Sequence, residues 1–230
     1  MQQIDLSCIR PNRDQALMLA KREISTFVYD AVQLEGIHFT LPEIQTLLDG
    51  VTVGGRKLSD QKIALNQRDA WHLLFQWIKE RDFVLSRYKV CELHALAAEE
   101  EALKWGQFRD SGVTIAGTSY MPPSANDLVT LFEEMVLRSN EIIDIFDKAI
   151  FVFLQMARTQ FFFDVNKRMG RFMMNGILLD AGYPAINVPV KRKLEFNEYM
   201  LRFYDSGDQT EMNQFLRSCI DPRIVAIMSS

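Results

Sequence analysis

The segment from Ser59 to Tyr88 contains no glycine and no proline, the two residues that most often interrupt regular structure. Its apolar residues recur at the spacing of one helix face: Ile63, Leu65, Ala70, Leu73, Leu74, Trp77 and Ile78. The pattern therefore predicts one long core helix, with Ser59 as its N-terminal capping residue. Because such a helix must bury its apolar face against other elements, it favours a fold in which further helices pack around it.

The rest of the chain supplies candidates for those helices. Asp14–Val32 shows amphipathic helical spacing, and Thr40 precedes Pro42 as the capping residue of a short helix that Gly50 ends. The acidic cluster Glu99–Glu101 is interpreted as a solvated helix face. Helical spacing or propensity also predicts helices at Glu92–Ala102, Asp127–Leu137, Ile142–Arg158 and Arg168–Ala181.

One stretch favours strands over helices. Val113–Ile115 and Thr118–Tyr120 are short runs of the residues that favour strands, and Ala116–Gly117 separates them as a turn. The sequence therefore predicts a short β-hairpin within a mainly α fold, in which a helical bundle carries this hairpin.

Composition limits the class of protein. The net charge of −4 and the pI of about 5.5 argue against direct nucleic-acid binding through a basic face. The longest apolar run, Ala149–Ala157, is too short to cross a bilayer, and the N-terminal residues lack the pattern of a secretory signal. Cys8, Cys91 and Cys219 form no C-x-x-C pair. We therefore expect a cytoplasmic protein with reduced thiols and no membrane partner.

The segment Thr159–Arg171 joins two predicted helices and is the most informative about chemistry. The start of a helix presents backbone N–H groups that bind anions. Arg168 and Arg171 are three residues apart, so both guanidinium groups project from one side of the first turn. Asp164 is able to hold magnesium against phosphates or merely to cap the helix. A polyphosphate site and a capped helix with surface arginines both remain compatible with these residues alone.

This segment resembles the signature of the Fic family, in which His-Pro-Phe-x-Asp/Glu-Gly-Asn-Gly/Lys-Arg-x-x-Arg joins two helices. The second half of the signature matches well, whereas Gln160 stands at the position of the histidine. Two further stretches resemble the family in the right order. Trp105–Arg109, followed by Val113–Pro123, is similar to its Gly-x-Tyr-Arg segment and β-hairpin flap, and Ala31–Gly36 is similar to its inhibitory helix motif.

The resemblance implies a Fic fold in one domain over residues 1–230, with an inhibitory-type helix at about 14–35 and a helical core with the flap at about 59–218. It implies transfer of AMP from ATP to a protein hydroxyl, with ATP or another nucleotide and Mg²⁺ as cofactors. The resemblance places catalysis at the position of Gln160, metal binding at Asp164 and inhibition at Glu35. It implies nucleotide or phosphate binding by five residues of the motif: Asn166, Lys167, Arg168, Gly170 and Arg171. It also implies docking of a protein target or regulatory partner at the flap residues Thr114, Ile115, Ala116, Gly117 and Thr118.

The departure at Gln160 leaves two hypotheses. A neutral amide cannot accept a proton from a hydroxyl group, and a general base contributes roughly 10²–10⁴ in rate. The chain is interpreted either as a nucleotide-binding pseudoenzyme with impaired or absent transfer, which we favour, or as an active but atypical nucleotidyl- or phosphotransferase with another base. His38 is a candidate for that base, whereas His72 and His94 are interpreted as structural. Val165 replaces the usual glycine of the family, which predicts a differently shaped loop.

Overall fold

The computed structural model describes residues 5–229, so residues 1–4 and 230 of the predicted domain lie outside the described residues. Within this range the chain is mainly helical, as predicted, with eleven α-helices and two short 3₁₀ helices at Ala125–Asp127 and Val190–Arg192. The α-helices are α1 (Arg13–Arg22), α2 (Ile24–Leu34), α3 (Leu41–Leu48), α4 (Leu58–Glu80), α5 (Arg87–Ala97), α6 (Leu128–Glu141), α7 (Ile145–Thr159), α8 (Asn166–Asp180), α9 (Lys193–Ser206), α10 (Thr210–Arg217) and α11 (Pro222–Met228).

The predicted helix Asp14–Val32 is in fact two helices, α1 and α2, which are separated at Glu23. There the backbone leaves the helical conformation, with φ −93° and ψ 5°. The residues that follow, Ile24–Thr26, have lower helix propensity than most residues of α1, and no glycine or proline marks the break. The break sets the course of α2, which ends directly before Glu35.

The predicted helix Ser59–Tyr88 is also interrupted. No side chain caps the start of α4, so the predicted capping role of Ser59 is wrong. The helix ends where Arg81 adopts a left-handed conformation with φ 59°. The ring of Phe83 then lies over Gly176 of α8, where a Cβ atom would be only 2.3 Å from that ring. Packing of this ring on α8 accompanies the break, and no residue type in the segment predicts it.

The predicted helix Glu92–Ala102 is shifted toward the N-terminus. Helix α5 begins after Ser86, whose hydroxyl oxygen accepts a hydrogen bond from the backbone N–H of Lys89 at 3.3 Å, and it ends at Ala97. The cluster Glu99–Glu101 therefore lies in the turns after α5 and not on a helix face. In these turns Glu100 has φ +60°, a value that residues other than glycine rarely adopt.

Helices α7 and α8 form the centre of the fold, and both were predicted to within a few residues. Residues 149–154 of α7 and 168–179 of α8 are all buried. Gly170 permits their close approach, because a Cβ atom there would be 2.8 Å from the carbonyl oxygen of Phe153. None of the helices in residues 5–229 combines the length and apolar character needed to span a membrane.

The predicted β-hairpin is wrong, because residues 5–229 contain no strand. Residues 113–120 form an extended loop with the expected turn at Ala116–Gly117, where Gly117 has φ +86°. Side chains hold this loop in place of cross-strand hydrogen bonds. The hydroxyl of Thr118 donates to the carboxylate of Asp205 in α9, and the guanidinium of Arg158 lies 4.0 Å from the ring centre of Tyr120. The turn signal was therefore informative, but the strand propensity was overridden by tertiary contacts.

The three cysteines are free thiols, as predicted. Burial raises the pKa of the Cys91 thiol and raises the pKa of Cys219 to about 12. Both thiols are therefore protonated and unreactive at neutral pH.

Candidate functional site

The loop between α7 and α8 begins and ends with residues in the left-handed conformation. Gln160 closes α7 with φ 54°, and Val165 precedes α8 with φ 65°. Val165 is buried, with 3% of its surface exposed, although a β-branched residue adopts this conformation only at a cost of roughly 1–3 kcal/mol. The valine thus occupies a backbone conformation that glycine would adopt without strain, held there by its burial in the core.

The side chains of Gln160 and Asn166 brace this loop. The Gln160 amide donates to the carbonyl oxygen of Ala157 at 2.6 Å and accepts from the Asn166 amide at 2.9 Å. Asn166 also donates to the carbonyl oxygen of Phe162 at 2.8 Å and accepts from its N–H at 2.9 Å. Both donor positions of the Asn166 amide are therefore used within the loop. The residue predicted to contact phosphates instead holds the loop closed in this structure.

The two arginines of the motif are buried side by side, with 3% of Arg168 and 8% of Arg171 exposed. The end nitrogens of Arg168 donate two hydrogen bonds to the carboxylate of Glu101, one of them at 2.8 Å. Glu35 approaches both arginines with one oxygen, at 3.7 Å from Nε of Arg168 and 3.6 Å from Nη2 of Arg171. These last distances make ion pairs but exceed the range of a hydrogen bond.

Three nitrogen atoms of this pair have no hydrogen-bond partner among residues 5–229: Nε of Arg168 and both Nη atoms of Arg171. Buried charged donors without a partner are rare, because each loses its hydration without replacement. We call Arg168, Arg171 and the space between them the arginine cradle. Its free donors are of the kind that bind carboxylate or phosphate oxygens.

Glu35 is the acidic residue closest to the free nitrogens of the arginine cradle. Burial raises the pKa of its carboxyl group, but the positive charges of Arg168, Lys167, Arg171 and Lys193 outweigh this effect and hold the pKa below its usual value. Glu35 is therefore ionised at neutral pH. The pairing of Glu35 with Arg171 that the family resemblance implies is present as an ion pair.

Glu101 corrects the interpretation of the acidic cluster as a solvated face. Its carboxylate is 17% exposed and pairs with Arg168, and Glu99 pairs with Lys62 at 2.5 Å. No sequence pattern indicated the pairing of Glu101 with Arg168, since no periodicity connects a turn after α5 with the first turn of α8. Glu101 is the site residue that sequence reasoning missed most clearly.

His94 joins the motif loop to the segment after α5. Its buried ring stacks on Phe162 at 3.7 Å, it accepts a hydrogen bond from the N–H of Gly106 at 3.1 Å, and its other nitrogen lies 3.3 Å from the carbonyl oxygen of Asp164. Burial, followed by the charge of Arg168, lowers the pKa of His94 to about 4 against the opposing effect of the Asp164 bond. His94 is therefore neutral, and its Nε2–H donates to Asp164.

The other two histidines lie on the surface. His72 is exposed in α4, and His38 is exposed with Nδ1 3.1 Å from the side-chain oxygen of Gln33. Neither hydrogen-bonds to a residue of the motif loop, so the structure offers His38 no visible role as a base.

Arg109 is a second residue whose part in the site the sequence did not reveal. It is 2% exposed and donates to the carbonyl oxygens of Gln160, Ser111 and Pro123 at 2.6, 2.7 and 2.6 Å. One side chain thus fixes both ends of the extended loop to the first residue of the motif. Its position in the Gly-x-Phe-Arg segment was the available signal.

The remaining predicted residues differ in their placement. Asp164 is exposed, and one carboxylate oxygen accepts from the N–H of Val165 at 2.7 Å. Lys167 is half-buried, and Gly170 faces α7 rather than the loop. No three acidic, histidine or cysteine side chains among the described residues gather as a metal site.

The space beside the arginine cradle is small. A cavity of about 20 Å³ lies between α2, α4 and α8 and is lined in part by Gln67, Arg168 and Arg171. A cavity of about 1060 Å³ lies elsewhere, between the N-terminal segment and helices α9 and α10, and no motif residue lines it. Sites for small molecules have volumes of roughly 300–1,000 Å³, so this cavity is too small to hold a nucleotide, and Arg168 and Arg171 are themselves buried.

Residues 84–178 match the model of the Fic/DOC family. The chain is similar to the protein adenylyltransferase Fic of Drosophila erecta, with 24% identity over 213 residues that cover 90% of this chain and 42% of the relative. The Drosophila melanogaster protein of the same name is 24% identical over 214 residues, with 90% and 42% covered. The chain thus spans less than half the length of these curated relatives.

Solved structures show the same fold. A Fic domain containing signaling protein from Bacteroides thetaiotaomicron aligns with a TM-score of 0.78 at 18% identity, covering 97% of this chain and 92% of that one. Fic-1 from C. elegans aligns with a TM-score of 0.78 at 16% identity, covering 92% and 64%. IbpAFic2, solved covalently tethered to Cdc42, aligns with a TM-score of 0.51 at 14% identity, covering 97% and 74%.

Proposed function

We propose that this chain, whose residues 84–178 match the model of the Fic/DOC family, is a nucleotide-binding protein related to the protein adenylyltransferases, with impaired or absent transfer of AMP. One observation carries the proposal. Arg168 and Arg171 are buried together at the start of α8 with three nitrogens that have no hydrogen-bond partner, and a Glu35 oxygen lies beside them. Phosphate oxygens would satisfy these donors at a helix start that itself favours anions.

The polar groups of the site fit ATP or another nucleotide together with Mg²⁺. The free guanidinium nitrogens suit phosphate oxygens, and the exposed carboxylate of Asp164 suits magnesium, which commonly takes one or two protein carboxylates. Bound magnesium would neutralise part of the phosphate charge. A phosphate that binds Arg171 must displace Glu35, because the carboxylate oxygen of Glu35 lies 3.6 Å from Nη2 of Arg171.

Gln160 accounts for the impaired transfer. Its amide cannot remove a proton from an attacking hydroxyl group, and both ends of the amide are engaged with Ala157 and Asn166. A missing general base lowers the rate roughly 10²–10⁴-fold while leaving phosphate binding in place. Binding without efficient transfer follows from this combination.

Glu35 acts in this proposal as the inhibitory residue of α2. Its ionised carboxylate neutralises the arginine cradle, and a phosphate must displace it to reach Arg171. Because Glu35 makes ion pairs at 3.6 and 3.7 Å without a hydrogen bond to either arginine, its displacement loses comparatively little.

The loop 111–123 is the proposed docking surface for a protein target or regulatory partner. The loop is fixed at both ends by Arg109, whereas Thr114, Ala116 and Gly117 are exposed. An exposed extended backbone of this kind offers hydrogen bonds to an extended segment of another protein. The tethering of IbpAFic2 to Cdc42 gives an example of a protein partner for this fold.

Calorimetric titration with ATP and Mg²⁺ tests the proposed site. We expect Glu35→Ala to bind ATP about tenfold more tightly than the wild type, and Glu35→Ala with Arg171→Ala to lose that gain. Arg202→Ala in the same background is the matched control, because Arg202 is half-exposed on α9 and pairs with Glu211. Equal affinity of Glu35→Ala with and without Arg171 would show that nucleotide does not bind in the arginine cradle.

A further inference from the structure

We propose that Glu101 is a specificity-determining residue that limits the arginine cradle to contacts with one phosphate group of a nucleotide, so that ATP gains little affinity over a nucleoside monophosphate. This inference rests on the proposed nucleotide-binding function. The carboxylate of Glu101 accepts hydrogen bonds from both end nitrogens of Arg168, and among the described residues Nε is the one nitrogen of Arg168 without a hydrogen-bond partner.

The two carboxylates at the arginine cradle are held very differently. Glu101 makes two hydrogen bonds to Arg168, one at 2.8 Å, whereas Glu35 makes only ion pairs at 3.6 and 3.7 Å. A two-pronged carboxylate–guanidinium contact is among the strongest polar contacts in proteins. A phosphate therefore displaces Glu35 and leaves Glu101 in place.

The turn that carries Glu101 is itself fixed. The preceding Glu99 pairs with Lys62 of α4 at 2.5 Å, and its carbonyl oxygen accepts a hydrogen bond from the side chain of Asn66 at 2.8 Å. Glu100, which lies between Glu99 and Glu101, has a left-handed backbone conformation. Glu101 is therefore part of the built site, although its sequence context is that of a surface cluster.

The free donors define what the opened site can hold. They are Nε of Arg168 and the two Nη atoms of Arg171, and one oxygen of Glu35 now lies within 3.7 Å of atoms on both arginines. One phosphate group has enough oxygens to serve all three nitrogens. A second phosphate would have to take Arg168 from Glu101 and leave a largely buried carboxylate without its partner.

The test compares AMP, ADP and ATP in the background of Glu35→Ala, by calorimetric titration with EDTA present. The three ligands share the same base and ribose, so the ratios of their affinities report only the contribution of the phosphate groups. We expect AMP and ATP to bind within about threefold of each other in Glu35→Ala. Adding Glu101→Gln removes the charged partner of Arg168. We expect it to raise the affinity for ATP relative to AMP by about tenfold or more.

Glu99→Gln in the same background is the control, because Glu99 belongs to the same cluster but pairs with Lys62. We expect this variant to have the same ratio of ATP to AMP affinity as Glu35→Ala. A tenfold preference of Glu35→Ala for ATP, or an unchanged ratio after Glu101→Gln, overturns the role of Glu101 alone. Loss of all nucleotide binding in every variant overturns the proposed function as well. If circular dichroism shows that the variant with Glu101→Gln does not fold, the ratio of ATP to AMP affinity in Glu35→Ala still decides whether Glu101 has this role.

Discussion

The two halves of the motif, 160–166 and 168–171, differ in how their polar groups are used. In the first half the amides of Gln160 and Asn166 bond to each other and to the loop backbone. In the second half Arg168 and Arg171 keep three buried nitrogens without a hydrogen-bond partner among the described residues. The first half is thus organised to hold a shape, and the second offers donors to the anion of the proposed function. Under that proposal the motif keeps its binding half although Gln160 supplies no general base.

The largest effect is expected from the variant that places a general base in the first half of the motif. Gln160→His, combined with Glu35→Ala, should raise transfer of labelled AMP from ATP to protein by roughly 10²–10⁴ over Glu35→Ala alone, since it supplies a general base. Gln160→Asn should give no gain, because it keeps an amide. Transfer by Glu35→Ala that already matches the histidine variant would instead support an active enzyme with another base.

A second test removes the brace of the first half. Asn166 is 4% exposed, and Asn166→Ala leaves the N–H and carbonyl of Phe162 and the Gln160 oxygen without their partner. We expect the free energy of unfolding in urea to fall by about 3 kcal/mol. Asn126→Ala, at an exposed position, should change it by less than about 0.5 kcal/mol. A small effect at Asn166 would mean that the loop does not depend on this amide.

A third test uses pH on the histidine that supports the first half. His94 has its pKa lowered from 6.5 to about 4 because it is buried. The unfolded chain therefore binds a proton that the folded chain does not between these values, and stability falls as pH falls from 6.5 toward 4. At pH 5 the loss should be about 2 kcal/mol. His94→Gln should remove this loss from urea unfolding curves, and His72→Gln, at an exposed position, should retain it.

The smallest effect concerns Glu35. Because it pairs without hydrogen bonds, Glu35→Gln should lower the free energy of unfolding at pH 7 by about 1 kcal/mol. Its pKa is held below the usual 4.5, so its contribution is present above that pH and is lost as pH falls through the lower folded value. The curves of wild type and variant should converge on acidification. Curves that stay parallel would argue against the ion pairs.

The sequence predicted most where local signals decide the structure. The capping pattern of Thr40 and Pro42 gave α3, and helical spacing around the motif gave α7 and α8. The arginines three residues apart indicated an anion site at the start of α8, which remains a prediction for binding.

The failures of prediction arise where contacts between distant parts of the chain decide the structure. The break at Arg81 accompanies packing of Phe83 on Gly176, and the loop 113–120 is held by contacts such as the hydrogen bond of Thr118 to Asp205 of α9. Glu101 joins Arg168 across 67 positions of the chain. No spacing within one element contains such information, since it comes from how the elements pack.

The contact of Gly170 with Phe153 has a consequence for motion. With the two backbones this close, α8 cannot slide or roll along α7 without collision, so the guanidinium groups are mounted on a rigid frame. Under the proposed function, the part that moves to admit a nucleotide is then the end of α2 and Glu35 rather than α7 or α8. Opening would then move the end of α2, while α7 and α8 would keep their positions.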